Sequence, residues 1–259
     1  MTKLIILLLS LIGLPALAAN ELYLAVASDM SYCMEELGAA FSKQVPHARL
    51  RVSVGASGNF YAQIKHGAPF DLFLSADMKY PSRLAADGAA DGASLAPYAL
   101  GRLAIWSLDA RFELTQGMRV FADQRLTRIA IANPDVAPYG HAAKAALVLY
   151  GLWDSVKPKL VLGENIAQTA QFVQTGNAEL GIVSLATVLA PRLKGIGQYY
   201  LIPEAGMPPI EHGMIVTSKG RANWLAARFA RFMRSEAARD ILVRYGFGLP
   251  PPPGAPGND

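Results

Sequence analysis

The sequence predicts an α/β fold built from mostly parallel sheets. Strand-like and helix-like patterns alternate along almost the whole chain, and small or polar residues that can begin a helix directly follow several strands. Apolar segments of strand length occupy residues 22–27, 50–54, 72–74, 103–106, 129–132, 180–183 and 214–217. The helical patterns cover residues 29–44, 59–66, 79–87, 139–150, 166–175 and 223–245. Three of these helices are followed by a glycine, where a helix should stop: Gly67, Gly151 and Gly176.

The first 18 residues have the three parts of a secretory signal. Lys3 precedes an apolar run over residues 4–14, and Pro15 and the small-residue pattern Ala16-Leu17-Ala18 follow it. Because this run is too short to span a bilayer permanently, we expect cleavage after Ala18 and export; the alternative is an uncleaved membrane anchor. No later segment contains 18 uninterrupted apolar residues.

Two breaks in the pattern divide the rest of the chain. Residues 86–97 are rich in Ala, Gly and Asp, and residues 203–209 contain three prolines. We therefore expect one lobe from residues 19–101 and 213–249 and a second lobe from residues 102–212, joined by two crossover segments that act as a hinge. Residues 250–259 are rich in Pro and Gly and are expected to form a disordered tail.

Composition argues against several classes of function. The chain has 259 residues and a formal net charge of +4, which falls to +3 when the signal with Lys3 is removed. No Lys/Arg run interleaved with aromatic residues occurs, so nucleic acid is not an expected partner. The four histidines and single cysteine lack the spacing of a metal site, and we expect no metal or cofactor. Cys33 lies on the apolar side of its predicted helix and is interpreted as a core residue.

Two serines stand where a strand gives way to a helix. Ser28 follows the first strand, and Ser57 follows the second by way of Gly55 and Ala56. As N-caps, both would lie at helix N-termini, which present unpaired N–H groups and about half a positive charge. Such βα turns cluster at the carboxyl ends of strands, where converging helix starts make an anion site without lysine or arginine. The turns at residues 137–140 and 164–166 have the same character.

A serine hydrolase is the alternative from a different functional class. Ser57 lies in Gly55-Ala56-Ser57-Gly58, but Asn59 stands where the G-x-S-x-G nucleophile elbow requires its second glycine. No histidine has a spacing that marks it as a general base. We therefore expect a binding protein and not an enzyme.

Several stretches resemble the molybdate-binding proteins of bacterial ABC importers. They are AVASDM at 25–30, VGASGNFYAQIKHGAPFDLFLSAD at 54–77, IANPDVAPYGHAAKAAL at 131–147, LGIVS at 180–184 and RYGF at 244–247. The second stretch is the most specific, and the resemblance covers nearly the whole chain after the signal. It implies a two-lobed periplasmic receptor that closes on molybdate or tungstate through neutral hydrogen-bond donors and delivers the anion to a membrane permease. We expect it to act as a monomer.

The resemblance also implies the positions of the ligand-binding residues. By position they are Ser28 and Ser57 in one lobe, and Tyr139 and the backbone N–H of Ile166 in the other. Tyr139 within APYG matches the branch of the family that uses a tyrosine hydroxyl at this point. Other relatives place a tyrosine where this chain has Ser184, so a smaller contribution is expected from Ser184.

Asp29 is the residue of the expected site that fits a dianion least well. Molybdate at neutral pH has acceptors only, so a buried carboxylate facing it would repel it. In one interpretation, Asp29 contributes its backbone N–H while its carboxylate turns to solvent. In the other, the carboxylate faces the ligand and favours an oxyanion that still carries a proton, such as hydrogenphosphate. A receptor for phosphate or sulfate therefore stays an alternative.

Overall fold

The computed structural model describes residues 20–251. The predicted signal segment, residues 1–18, lies outside the described residues, as do residues 252–259 of the predicted tail. Within the described residues, no helix is both long enough and apolar enough to cross a membrane.

Two sheets of five strands each organise the described residues. In chain order the strands are β1 (Glu21–Ala27), β2 (Arg49–Gly55), β3 (Leu72–Leu74), β4 (Ala96–Gly101), β5 (Leu103–Ser107), β6 (Ile129–Ala132), β7 (Leu160–Gly163), β8 (Leu180–Ser184), β9 (Gln198–Leu201) and β10 (Ile210–Val216). The first sheet has the order β2-β1-β3-β10-β4, and the second has the order β7-β6-β8-β5-β9. The chain passes to the second sheet between β4 and β5 and returns between β9 and β10.

Helices flank both sheets. In chain order the α-helices are α1 (Met34–Gln44), α2 (Ser57–Lys65), α3 (Lys79–Ala86), α4 (Pro138–Leu149), α5 (Trp153–Val156), α6 (Ile166–Gln174), α7 (Leu185–Leu189), α8 (Trp224–Phe232) and α9 (Glu236–Arg244). A short 3-10 helix, Ser28–Tyr32, precedes α1.

Both sheets are mixed, whereas the sequence predicted mostly parallel pairing. Strand β1 runs parallel to β2 and β3, and β6 runs parallel to β7 and β8. The antiparallel pairs all involve β5 or β10, the strands that begin directly after the two passages between sheets. The parallel part of each sheet is thus the part made of βα units, and the crossings supply the antiparallel strands.

Three strands were missed by the sequence prediction, and two predicted helices are divided. Strand β4 contains Pro97 and follows the Ala/Gly/Asp-rich segment, while β7 and β9 are short strands at the sheet edges.

The helix predicted over 29–44 begins with the 3-10 segment before α1. The helix predicted over 223–245 is α8 followed by α9, because the Ser235 hydroxyl accepts the Ala238 N–H at 3.4 Å and starts a new helix.

The C-terminal helices pack on the first sheet. The ring of Phe41 in α1 lies 4.9 Å from that of Phe229 and 5.4 Å from that of Phe232, both in α8. The same core contains residues of β1 and α9, so the last part of the chain completes the lobe that the first part begins. Cys33 is fully buried in this core, as predicted.

Candidate functional site

The carboxyl ends of the parallel strands from the two sheets face each other. Ala27, Ala56 and Ala76 follow or end strands β1, β2 and β3 of the first sheet. All three belong to one apolar cluster with Tyr139 and Ile166, which begin helices after β6 and β7 of the second sheet. The fold therefore brings the predicted turns of both lobes to one place, as expected for an α/β ligand site.

Ser28 links the two sides of this site. It is 3% exposed, and its Oγ accepts the backbone N–H groups of Ile166 at 3.2 Å and Ala167 at 3.4 Å. The prediction that Ser28 caps its own helix is wrong, since Ala27 holds the N-cap position and Ser28 is the first helical residue. The hydroxyl instead meets the unpaired donors at the start of α6. Because a hydroxyl also carries one O–H, Ser28 keeps a donor for a third group.

Ser57 has a similar place in α2. It is 1% exposed, and its Oγ accepts the N–H of Ala76 at 3.0 Å. Here too the N-cap prediction is wrong by one residue, because Ala56 is the N-cap. The next residue, Gly58, donates its N–H to the carbonyl of Val136 at 2.8 Å, which joins α2 to the second lobe.

Tyr139 and Ile166 face these serines from the second lobe. Tyr139 follows Pro138 at the start of α4, is 2% exposed, and its hydroxyl has no hydrogen-bond partner among the described residues. At the start of α6, Asn165 Oδ1 accepts the N–H groups of Ala167 and Gln168 at 3.0 and 3.1 Å. The Asn165 cap does not use the Ile166 N–H, which donates to Ser28 Oγ instead.

Asp29 is buried beside a histidine that the sequence did not single out. Asp29 is 1% exposed, and its Oδ2 lies 2.6 Å from Nε2 of His212, which is fully buried in β10. Oδ1 has no hydrogen-bond partner in the described part of the chain. The interpretation in which the Asp29 carboxylate turns to solvent is therefore wrong, because the carboxylate is buried and its partner is His212.

His212 lies in the part of β10 that the sequence prediction missed, since the predicted strand covered only residues 214–217. Side chains of a strand alternate between faces, so His212 shares a face of β10 with Met214 and Val216. Both of these are core residues. A histidine in the buried register of a strand indicates a polar partner inside the protein, although the sequence does not say which residue that partner is.

Two tyrosines near this pair have raised pKa values and stay protonated. Burial, and then the Asp29 charge, raise the pKa of the Tyr139 phenol well above its usual value near 10. The same two causes raise the pKa of Tyr98, whose hydroxyl donates to the carbonyl of Ser75 at 3.2 Å. Tyr139 is therefore a hydrogen-bond donor at any physiological pH.

Ser184 differs from the other predicted site residues. It is fully buried and caps α7, where its Oγ accepts the Thr187 N–H at 3.2 Å and lies 2.8 Å from the Thr187 hydroxyl. Its hydrogen bonds in the described structure thus stay within its own turn. A contribution of Ser184 to a ligand stays a prediction.

Two further hydrogen bonds join the lobes around the site. Asn59 Nδ2 donates to Glu164 Oε1 at 3.0 Å, and the Tyr80 hydroxyl donates to the carbonyl of Asp135 at 3.4 Å. Together with the hydrogen bond from Gly58 to Val136, they join α2 and α3 to the second lobe. Within residues 20–251, no group of three or more His, Cys, Asp or Glu side chains is placed so that it could hold a metal ion.

Comparisons with known proteins agree with this architecture. The model of the bacterial extracellular solute-binding protein family matches residues 22–248. The molybdate-binding protein ModA of Azotobacter vinelandii is 37% identical over 239 residues, which cover 92% of this chain and 94% of that protein. ModA of Rhodobacter capsulatus is 35% identical over 236 residues, or 91% of each chain.

A solved structure also matches this chain. The Azotobacter vinelandii periplasmic molybdate-binding protein matches with a TM-score of 0.84 at 33% identity, and the match covers 89% of this chain and 100% of that one. The predicted fold class is thereby confirmed. Because the family match spans nearly all of the described residues, the chain belongs to the family of bacterial extracellular solute-binding proteins, which are receptors and not enzymes.

Proposed function

We propose that this protein captures molybdate, and also tungstate, in the cleft between its two lobes and delivers it as a periplasmic monomer to an ABC importer. The observation that carries the proposal is the hydrogen bond from the Ile166 N–H to Ser28 Oγ at 3.2 Å, because it brings together helix starts that follow strands of different sheets. Similarity to molybdate-binding proteins over more than nine-tenths of the chain supports the choice of anion.

The two lobes comprise residues 19–101 with 213–249, and residues 102–212. The chain passes between the sheets twice, after Gly101 and before Ile210, and both passages lie close together because β4 pairs with β10. A rotation about these two passages would open and close the cleft. The closed lobes, with the anion inside, are the shape that the permease recognises.

The donors suit an anion that offers acceptors only. Ser28, Ser57 and Tyr139 supply hydroxyl protons, and Ile166 supplies a backbone N–H at a helix start. These groups can satisfy several oxygens of a tetrahedral dianion, and each such bond has a charged acceptor, which makes it stronger than a neutral one. Because Tyr139 is buried and its hydroxyl lacks a partner among residues 20–251, an anion at this point would supply one.

Calorimetric titration with a panel of oxyanions tests the proposal. The purified protein is titrated with molybdate, tungstate, sulfate, phosphate and thiosulfate at neutral pH and fixed salt, since charged ligands are sensitive to ionic strength. Tight one-to-one binding of molybdate and tungstate alone is the expected result. Binding of phosphate or sulfate instead would assign the site to the alternative oxyanions, and binding of none would overturn the proposal.

A matched pair of serine variants ties this binding to the cleft. Ser57→Ala removes a proposed donor and should weaken molybdate binding by about 1 to 3 kcal/mol, as expected for a hydrogen bond to a charged acceptor. The control is Ser42→Ala: Ser42 is exposed on α1 and bonds only the Gly38 carbonyl in the same helix, at 2.9 Å. Equal affinities of both variants would move the site elsewhere.

A further inference from the structure

Both ring nitrogens of His212 face hydrogen-bond acceptors. Nε2 lies 2.6 Å from Asp29 Oδ2, and Nδ1 lies 3.2 Å from the carbonyl oxygen of Ile210. A carbonyl oxygen accepts and never donates, so Nδ1 carries a proton. A second proton must lie between Nε2 and Oδ2, because two bare acceptors at this distance would repel each other. The pair is then an imidazolium with a carboxylate, or a neutral imidazole with a carboxylic acid, and is neutral as a whole in both forms.

His212 is the only counter-charge that the described ion pairs give Asp29. Both side chains are at most 1% exposed, and water cannot screen them. If the shared proton left, a buried carboxylate would stand uncompensated, which proteins avoid by neutralising one of the groups. The proton between the two residues therefore decides whether this place carries a negative charge.

The pair lies within the proposed oxyanion site. Asp29 directly follows Ser28, and the ring of Tyr139 lies 5.9 Å from that of His212. The Asp29 charge raises the pKa of Tyr139, which indicates that the carboxylate and the phenol are close. An anion bound to Ser28 and Tyr139 is thus a near neighbour of Asp29, and like charges in a buried site repel strongly.

We propose that His212 is a positioning residue of the oxyanion site that acts through Asp29, and that the Asp29–His212 pair must hold its shared proton for a dianion to bind. This inference rests on the proposed function. Protein that has lost the proton must take one up when it binds the anion. Above the pH at which the free protein loses it, the apparent Kd for molybdate should therefore rise up to tenfold per pH unit. The Kd is measured from pH 6 to 10 to detect this rise.

Other titratable groups around the pair do not account for such a change. Burial raises the pKa of three of them, and the Asp29 charge raises it further, so these stay neutral in most of this range: Cys33, Tyr98 and Tyr139. The pKa of Tyr32 is also raised, mainly by burial. Asp77 lies in the turn after β3, and burial raises its pKa although hydrogen bonds from the Tyr80 N–H and the Ser75 hydroxyl oppose that change.

Three variants separate this role from a purely structural one. His212→Gln keeps a polar side chain but cannot hold the extra proton, so it should bind molybdate at least tenfold more weakly than the wild type at pH 7. Asp29→Asn removes the charge, so its Kd should not change between pH 6 and 10. The double variant should bind at least tenfold more tightly than His212→Gln. Thermal unfolding of each variant without ligand verifies that it folds.

The decisive comparison is between His212→Gln and the double variant. If His212 only packs against its neighbours, removing the Asp29 charge from His212→Gln restores nothing, and the inference is overturned. A second readout counts protons directly: molybdate is titrated at pH 9.5 in two amine buffers of different ionisation enthalpy. Uptake of at least half a proton per anion supports the inference, and smaller uptake overturns it.

The same titrations distinguish this inference from the proposed function. Wild-type protein that binds neither molybdate nor tungstate at any pH from 6 to 10 contradicts the proposed function itself. Tight molybdate binding with a Kd that is constant over this range and without proton uptake leaves the proposed function intact and overturns only the role of the Asp29–His212 pair.

Discussion

The Ser28 hydroxyl lies 3.2 Å from the backbone nitrogen of Ile166, although 138 positions separate the two residues in the sequence. Ser28 starts the first helical turn after β1, and Ile166 starts α6 after β7. The contact therefore joins helix starts that follow two strands of different sheets.

Replacement of Ser28 should weaken the anion site. In Ser28→Ala the hydroxyl is lost, and we expect molybdate affinity to fall by about 1 to 3 kcal/mol, because an O–H bond to a charged acceptor disappears. Ser28→Thr keeps the hydroxyl and should retain most of the affinity. Calorimetry measures both, with Ser42→Ala as the exposed control. If the threonine and alanine variants bind equally well, the hydroxyl has no role.

A side chain at Gly58 should hinder closure of the lobes. A Cβ there would lie 2.7 Å from the Tyr80 hydroxyl and 2.8 Å from the Val136 carbonyl oxygen, both closer than real contacts allow. Gly58→Ala should therefore bind molybdate more weakly and contract less when the anion is added.

Small-angle scattering with and without molybdate measures this contraction. Gly92→Ala is the matched control, because its new Cβ would meet only the Ala85 side chain at an ordinary 3.6 Å. A Gly58→Ala protein that contracts like the wild type would show that the lobes meet differently.

Loss of the Tyr139 hydroxyl should affect binding and stability in different ways. The buried hydroxyl has no hydrogen-bond partner within residues 20–251, so Tyr139→Phe should change the stability of the unliganded protein little. Molybdate affinity should nevertheless fall by about 1 to 3 kcal/mol. Thermal unfolding with and without molybdate measures both effects. Tyr199→Phe, at a position 49% exposed, is the control. Unchanged stabilisation by molybdate would remove Tyr139 from the site.

The buried phenols should make the protein sensitive to alkaline pH. The pKa values of Tyr98 and Tyr139 are raised well above 10 in the folded state. The unfolded chain therefore loses these protons first as the pH rises above about 10, and it then binds fewer protons than the folded state. Each phenol should thus lower the free energy of unfolding by up to about 1.4 kcal/mol per pH unit in that range.

Urea unfolding between pH 8 and 11 tests this linkage. The stability of Tyr139→Phe should fall less steeply above pH 10 than that of the wild type, whereas Tyr199→Phe should follow the wild type. Identical slopes for all three proteins would mean that the Tyr139 phenol ionises as freely when folded as when unfolded.

The sequence was informative about local features and less so about long-range ones. The turns after β1, β2, β6 and β7 were readable, because small and polar residues follow short apolar strands there. The N-caps were placed one residue too late, since the capping hydroxyls expected at Ser28 and Ser57 bond groups from other segments. Antiparallel pairing was missed because nothing local marks β5 and β10 as the strands that cross between sheets.

The Asp29–His212 pair shows the limit most clearly. The two residues are 183 positions apart, and their contact depends on β10 inserting between β3 and β4. Helix propensity and charge patterning suggested a solvent-facing carboxylate at the first turn, but neither property reports what another strand places beside it. The strand predicted over residues 214–217 stopped short of His212, so the sequence prediction gave neither its burial nor its partner.

A crystal structure of the protein grown with molybdate tests the central claim most directly, because the anomalous signal of molybdenum locates the anion without reference to any model. The account predicts one strong peak within hydrogen-bond reach of the Ser28, Ser57 and Tyr139 hydroxyls and of the Ile166 N–H. A peak at another place, or a closed cleft without molybdenum at saturating concentration, would contradict it.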